Sequence, residues 1–261
     1  MIMERLSTSP NILDIYGYCG TSVLVETMAE DLSKFIVPGP LYLSQEELAT
    51  IDSSKPQNNL TASEKIQIGL SMAEALADLH YHDGGIIVDA DVDIEQWLLA
   101  KDGSIKLNDF NAAYARQYNV EAQEYCLKEG KPGQGIGRSP EELNGTEQDE
   151  SVDVFAFGNI LYTLLTGLWF YYENGEKDLD ALRQEIIHGR RPHIDEAYSN
   201  GRRSYMEREL VHIIKKCWEQ DRTKRPSTTT IIEHLRMVKA EASKRGELEA
   251  SSLINIPLPE K

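Results

Sequence analysis

The sequence predicts a mainly α (α+β) domain, in which a small β-bearing face is attached to a body of helices. Three observations predict it. The apolar residues Ile66, Ile68, Leu70, Met72, Ala73, Leu76 and Leu79 form a helical stripe over about Ala62–His80. The Asp102-Gly103 pair between two apolar runs signals a β-hairpin. Beyond residue 150, four helical patterns follow one another, punctuated by Gly189 and by the Arg-Pro pairs at 191–192 and 225–226.

In chain order, residues 1–13 begin on a helical turn. Ile12–Tyr18 and Ser22–Thr27 read as two short strands joined by a Cys19-Gly20 turn. Residues 33–60 carry Pro38, Pro40 and Pro56 and read as loop. Thr61 or Ser63 can cap the long helix that follows. Gly85–Val88 is a short strand, and Trp97–Leu99 with Ser104–Leu107 makes the hairpin. Residues 111–137 lack periodicity and hold several glycines near their end. They read as a long surface loop, of a length that is usually functional. The closing helices are Asp153–Thr166, Leu179–His188, Tyr205–Glu219 and Thr228–Ser243, with a mobile tail from Lys244.

Composition narrows the function classes. With 43 acidic and 27 basic residues the formal net charge is −16, which argues against nucleic acid or an anionic membrane as partner. Cys19, Cys126 and Cys217 are too scattered for a disulfide framework, and no Cys-x-x-Cys pair suggests zinc. Their usage predicts an intracellular, cytoplasmic setting. No signal-peptide pattern opens the sequence. The longest apolar stretch, Val152–Phe170, is interrupted by Asp153, Asn159 and Gly167, so it reads as a buried core helix and not a membrane span. A membrane anchor in a longer parent stays open.

Two aspartates end strand-like runs, Asp91 after Ile86-Ile87-Val88 and Asp109 after Ile105-Lys106-Leu107. Alone, each fits an ordinary turn. Their context is more specific: GIIVDADVDIEQWLL, IKLNDFNAA, GRSPEEL, DVFAFGNILYTLLTG and CWEQDRTKRPS occur in that order. This series resembles the protein-kinase catalytic domain, in which a His-Arg-Asp loop precedes Asp-Phe-Gly and Ala-Pro-Glu. The resemblance covers about residues 3–240. It implies a kinase-like C-lobe (31–243) preceded by a remnant of the N-lobe (1–30) and followed by a flexible tail (244–261).

The resemblance also implies roles. Asp91 matches the base that accepts the substrate hydroxyl proton, and Asp109 the carboxylate that holds Mg2+ against ATP. Gln96 stands where the second magnesium ligand is expected. Glu141 matches the glutamate that pairs with a late arginine, here Arg225, and Asp153 the helix-start aspartate that supports the catalytic-loop backbone. Val25 falls at the gatekeeper position, and Glu26, Thr27 and Met28 at the adenine-contacting hinge. In the activation segment, Asp109 to Arg138, no Ser or Thr occurs, so Tyr114, Tyr118 and Tyr125 are its only phosphate acceptors. A protein substrate or protein partner is implied, with ATP and Mg2+ as cofactors if nucleotide is bound.

The departures are as informative. His-Arg before the base is Asp89-Ala90, which removes the arginine that reads a phosphate on the activation loop. The lysine two residues past the base in Ser/Thr kinases is Asp93; at ~4 Å and an effective dielectric of ~20 such a charge is worth on the order of 4 kcal/mol, so reversing its sign matters. Gln96 replaces asparagine, Asn111 the glycine of Asp-Phe-Gly, Gln134 a threonine and Gly137 a tyrosine. No Gly-rich loop or strand-three lysine is found, and aligning residues 3–6 with the end of αC puts that helix's glutamate before residue 1. Two readings follow: a fragmentary ATP-dependent protein kinase, inactive as given, or a pseudokinase acting as a scaffold or interaction module. A small-molecule kinase of related fold is disfavoured by Ser139-Pro140-Glu141 and Arg225. The resemblance also predicts an exposed apolar patch near residues 1–30, with Ile12, Leu13, Val23 and Val25 short of cover.

Overall fold

The computed structural model describes residues 2–20, 22–40, 43–175 and 178–249. A short helix, α1 (Ile2–Leu6), leads to an antiparallel hairpin of β1 (Ile15–Cys19) and β2 (Ser22–Val25), with Ile15 opposite Val25. The first strand thus starts at Ile15, not Ile12. Ile12 instead forms a parallel bridge with Leu107, and Leu13 N donates to Leu107 O at 3.0 Å. That pairing corrects the expectation for two residues, since Ile12 is 1% and Leu13 3% exposed. Among the described residues the exposed apolar side chains of this region lie on the hairpin, where Tyr16, Tyr18, Val23 and Leu24 are exposed and Val25 is half-buried.

After β3 (Glu30–Asp31), the segment expected as loop holds two one-turn helices, α2 (Ser33–Ile36) and α3 (Gln45–Leu48). They are too short to show a period. Their signals are the buried Leu32 and Ile36 and a Ser44–Glu47 capping pair, in which Ser44 N donates to Glu47 Oε2 at 2.8 Å. The long helix α4 (Ala62–His80) has the predicted bounds. Thr61, not Ser63, is its cap, in a reciprocal capping box with Glu64.

Next come β4 (Ile87–Val88), β5 (Trp97–Leu99) and β6 (Ile105–Leu107). The β5–β6 hairpin has Leu98 opposite Lys106, and β3 joins it along β5. Gly103 takes φ 85° in the connection, as the Asp-Gly signal requires. Residues 111–137 are not a structureless loop. β7 (Tyr114–Ala115) pairs with β4, and β8 (Tyr118–Asn119) with β9 (Glu124–Tyr125). Two-residue strands are too short to alternate visibly in sequence. Arg116 pins the segment by donating to Tyr125 O at 2.9 Å and Cys126 O at 3.1 Å.

The helices α5 (Pro140–Asn144), α6 (Ser151–Thr166), α7 (Leu179–Ile187), α8 (Tyr205–Cys217) and α9 (Thr228–Lys244) complete the fold. α5 has no counterpart among the helices predicted from sequence; Ser139 and Glu142 cap it and Gly145 ends it at φ 68°. α9 ends at Lys244, the residue from which the tail is expected. The amides of residues 245–247 close the end of α9, and Glu249 N donates to Ser63 Oγ at 2.9 Å. Residues 250–261 lie outside the described residues.

α6 is the central helix. From Val152 to Thr166 every residue but Ala156 is buried, so it is largely apolar all round, with its few polar side chains buried as well. It packs on α8 and α4, and α4 packs on α9. Gly158 permits the α6–α8 approach, because a Cβ there would lie 2.8 Å from Cys217 Cβ and from the Trp218 ring. One apolar cluster runs from Leu6 to Ala242. No helix among the described residues is long and apolar enough to cross a membrane.

Candidate active site

The polar residues that interrupt α6 are what organise the site. Asp153 is 1% exposed, and its carboxylate accepts from Asp89 N and Ala90 N, each at 2.8 Å, with His80 Nε2 3.0 Å from Oδ2. Ala90 is held at φ 61°, a conformation that costs a non-glycine residue free energy. The grip fixes the loop directly before Asp91. Asn159, further along α6, donates to Gly137 O and accepts from Trp218 Nε1, each at 2.9 Å, and so ties the end of the activation segment to the same helix. The ring of Phe170 occupies the space a side chain at 137 would need, since a Cβ added to Gly137 would fall 3.1 Å from Phe170 Cζ.

Asp91 is about one-third exposed and both its oxygens are engaged. Oδ1 takes Arg138 Nη2 at 2.5 Å, and Oδ2 takes Gln96 Nε2 at 3.4 Å. Arg138 Nη1 also donates to Ala90 O and, at 3.3 Å, to Glu142 Oε1. Asp93 caps the turn that follows, accepting from Glu95 N at 3.4 Å, and burial pushes its carboxyl above the usual range. Asp89 is fully buried with neither oxygen hydrogen-bonded. Burial first, then the charges of Asp153 and Asp91, push its pKa well above the usual carboxylate range.

Asp109 sits exposed beyond the end of β6 with φ 63°, and its Oδ1 accepts from Asn111 N at 3.3 Å. A hard cation such as Mg2+ wants oxygen donors from one or two side chains and takes the rest from phosphate and water. Asp109 supplies a carboxylate, and Gln96 Oε1 is a buried oxygen without a hydrogen-bond partner, so the donor set fits. Among the described residues no cluster of three His, Cys, Asp or Glu forms an all-protein metal cage.

A second anchor lies behind the activation segment. Arg225, its side chain fully buried, donates through Nη2 to Glu141 Oε2 at 2.8 Å and through Nη1 to Oε1 at 2.5 Å, and to Ser151 O at 2.9 Å. The pair joins the start of α5 to the approach to α9, 84 residues apart. A model of the protein kinase domain matches residues 1–236. The chain belongs to the protein kinase family.

Similar proteins include the dual specificity protein kinase shkE of Dictyostelium discoideum, 26% identical over 91% of this chain and 30% of its own length. RGS domain-containing serine/threonine-protein kinase A of the same organism is 25% identical over 70% of this chain and 14% of its own. Serine/threonine-protein kinase STY46 of Arabidopsis thaliana is 26% identical over 71% and 29%. The chain therefore spans less than a third of the length of these relatives.

Val25 ends β2. The Glu26 side chain is taken up structurally, its Oε1 2.5 Å from Lys106 Nζ and 2.8 Å from Asp14 N. Thr27 is exposed and Met28 half-buried. Tyr114 has its hydroxyl buried and Lys128 Nζ 3.8 Å from its ring centroid. Tyr125 is half-buried against Tyr118, with ring centroids 5.1 Å apart, while Tyr118 is 50% exposed. Sequence reasoning missed Arg138, Glu142 and His80. The signal for Arg138 was available: an arginine standing alone among glycines directly before Ser-Pro-Glu, in a chain with no Lys or Arg from Ile86 to Ala100 around Asp91.

Proposed function

We propose that this chain carries the substrate-side lobe of an ATP-dependent protein kinase, in which Asp91 takes the proton of a protein hydroxyl acceptor and Asp109 with Gln96 holds magnesium. Bound magnesium would supply charge neutralisation on the ATP phosphates. Residues 1–30 belong in this reading to the small lobe, with Val25–Met28 along the adenine edge, and Tyr118 is the accessible acceptor for regulatory phosphate. The observation that supports it is paired backbone strain. Ala90 before the base and Asp109 itself both sit at positive φ, and strain of this kind persists where function uses it. The relatives named serine/threonine and dual specificity kinases fit a hydroxyl amino acid as substrate.

A second reading is a non-catalytic scaffold. Asp93 where a cation is expected, and the engagement of both Asp91 oxygens, favour it. Thermal unfolding with and without Mg-ATP tests the first step: a rise in Tm that Asp109→Ala abolishes supports nucleotide binding. Transfer of labelled γ-phosphate that Asp91→Asn abolishes supports catalysis. No Tm change at millimolar Mg-ATP would leave the scaffold.

A further inference from the structure

We propose that Arg138 carries, from the activation segment, the positive charge that the catalytic loop lacks beside Asp91; this rests on the kinase reading above. In the transfer, the acceptor oxygen bonds to the γ-phosphorus and the bond from phosphorus to the β–γ bridging oxygen breaks. ADP leaves with that electron pair, and the hydroxyl proton passes to Asp91. Negative charge is spread over the phosphoryl oxygens throughout, so a cation near Asp91 lowers the barrier. Asp93 cannot provide it.

The cavity beside Asp91, about 160 Å³, is lined by four acidic residues, Asp91, Asp93, Glu142 and Asp153, and Arg138 is the one basic residue lining it among the described residues. Coulomb attraction depends on where a charge stands and not on which segment delivers it. Arg138 stands where the charge is needed, with Nη2 at 2.5 Å from Asp91 Oδ1. Its grip on Ala90 O holds the strained residue before the base as well. A guanidinium has five N–H groups, and the bonds to Asp91, Ala90 and Glu142 leave donors on Nε and Nη2 for an anion. Its stem lies over Gly133 and Gly135, where an added Cβ would fall 3.5 and 3.6 Å from Arg138 Cγ, so neither residue puts a side chain into the groove.

The test moves the charge. Wild type, Arg138→Ala, Arg138→Lys and the double variant Asp93→Lys/Arg138→Ala are assayed with Mg2+ and γ-labelled ATP. Autophosphorylation and pools of peptides bearing Ser, Thr or Tyr are the acceptors. Arg138→Ala is expected to lower kcat about 100-fold with KM for ATP little changed. Arg138→Lys retains more activity than Arg138→Ala. Adding Asp93→Lys restores at least about tenfold, which repair of a merely structural contact would not do. Arg138→Ala with unchanged kcat overturns the inference and leaves the kinase reading standing; a raised kcat overturns it in favour of an inhibitory latch. Loss in Arg138→Ala that neither lysine variant recovers also overturns it. No transfer from wild type or any variant overturns this inference, while a rise in Tm with Mg-ATP that Asp109→Ala abolishes would leave the kinase reading standing.

Discussion

The carboxylate of Asp153 accepts hydrogen bonds from the main-chain amides of Asp89 and Ala90, each at 2.8 Å. One buried side chain on the central helix therefore sets the conformation of the loop that carries Asp91. The cost of the arrangement is visible in Ala90 at φ 61°.

Two substitutions separate the anchor from the strain. Asp153→Ala leaves the buried amide of Asp89 and the half-buried amide of Ala90 without their partner and should cost about 3 kcal/mol in urea unfolding. Ala90→Gly removes the steric penalty at positive φ. It should leave stability unchanged or raise it by up to about 1 kcal/mol. An Ala90→Gly variant as damaged as Asp153→Ala would show that the loop depends on the alanine side chain.

The Glu141–Arg225 pair is buried and bidentate, so breaking it strands a charge. Arg225→Ala should cost about 3–5 kcal/mol in the same measurement. Arg225→Lys should recover only part, because an ammonium cannot match both carboxylate oxygens while also reaching Ser151 O. Equal stability of the lysine variant and wild type would contradict the bidentate geometry.

Asp89 gives the protein a pH dependence of unusual sign for a carboxylate. Its native pKa lies above its unfolded value through burial and through Asp153, Asp91 and Asp109. Above about pH 4 the unfolded chain releases this proton while the native state keeps it, so the contribution falls as pH rises towards the native pKa. Asp89→Asn removes the effect. It should be more stable than wild type at neutral pH, with the gap closing as pH falls towards about 4. A gap independent of pH would refute the raised native pKa.

The three cysteines should divide by burial. Cys19 and Cys126 are exposed, whereas Cys217 is buried between α6 and α8 and its thiol is pushed up to about 12. A maleimide reagent at about pH 7 should modify two thiols in the native protein and the third only after denaturation. Fast native labelling of all three would mean that α6 and α8 separate readily.

The long elements were legible in the sequence, α4 because its apolar stripe repeats over many residues and α6 because its apolar run is long. The short ones were not: α2, α3, α5 and β7–β9 are held by tertiary partners, and only the Ser44–Glu47 and Ser139–Glu142 caps mark two of them locally. Ile12 was misjudged because its cover comes from Leu107, a partner so distant along the chain that no local window reports the contact. At the site, Asp91, Asp109, Asp153 and the Glu141–Arg225 pair could be located by motif. Arg138 could not be assigned a partner, since its contact with Asp91 depends on how the activation segment folds back over the catalytic loop.

Gly158 has a reach beyond its own surroundings. It lies on the helix that presents Asp153 to Asp89 and Ala90, and it sits where α6 and α8 leave room for no side chain at all. A single added methyl would wedge the two helices apart. The displacement would pass along α6 to Asp153, and from there to a loop that is far away in the chain. A position remote from Asp91 in the sequence thus governs how the loop before Asp91 is held.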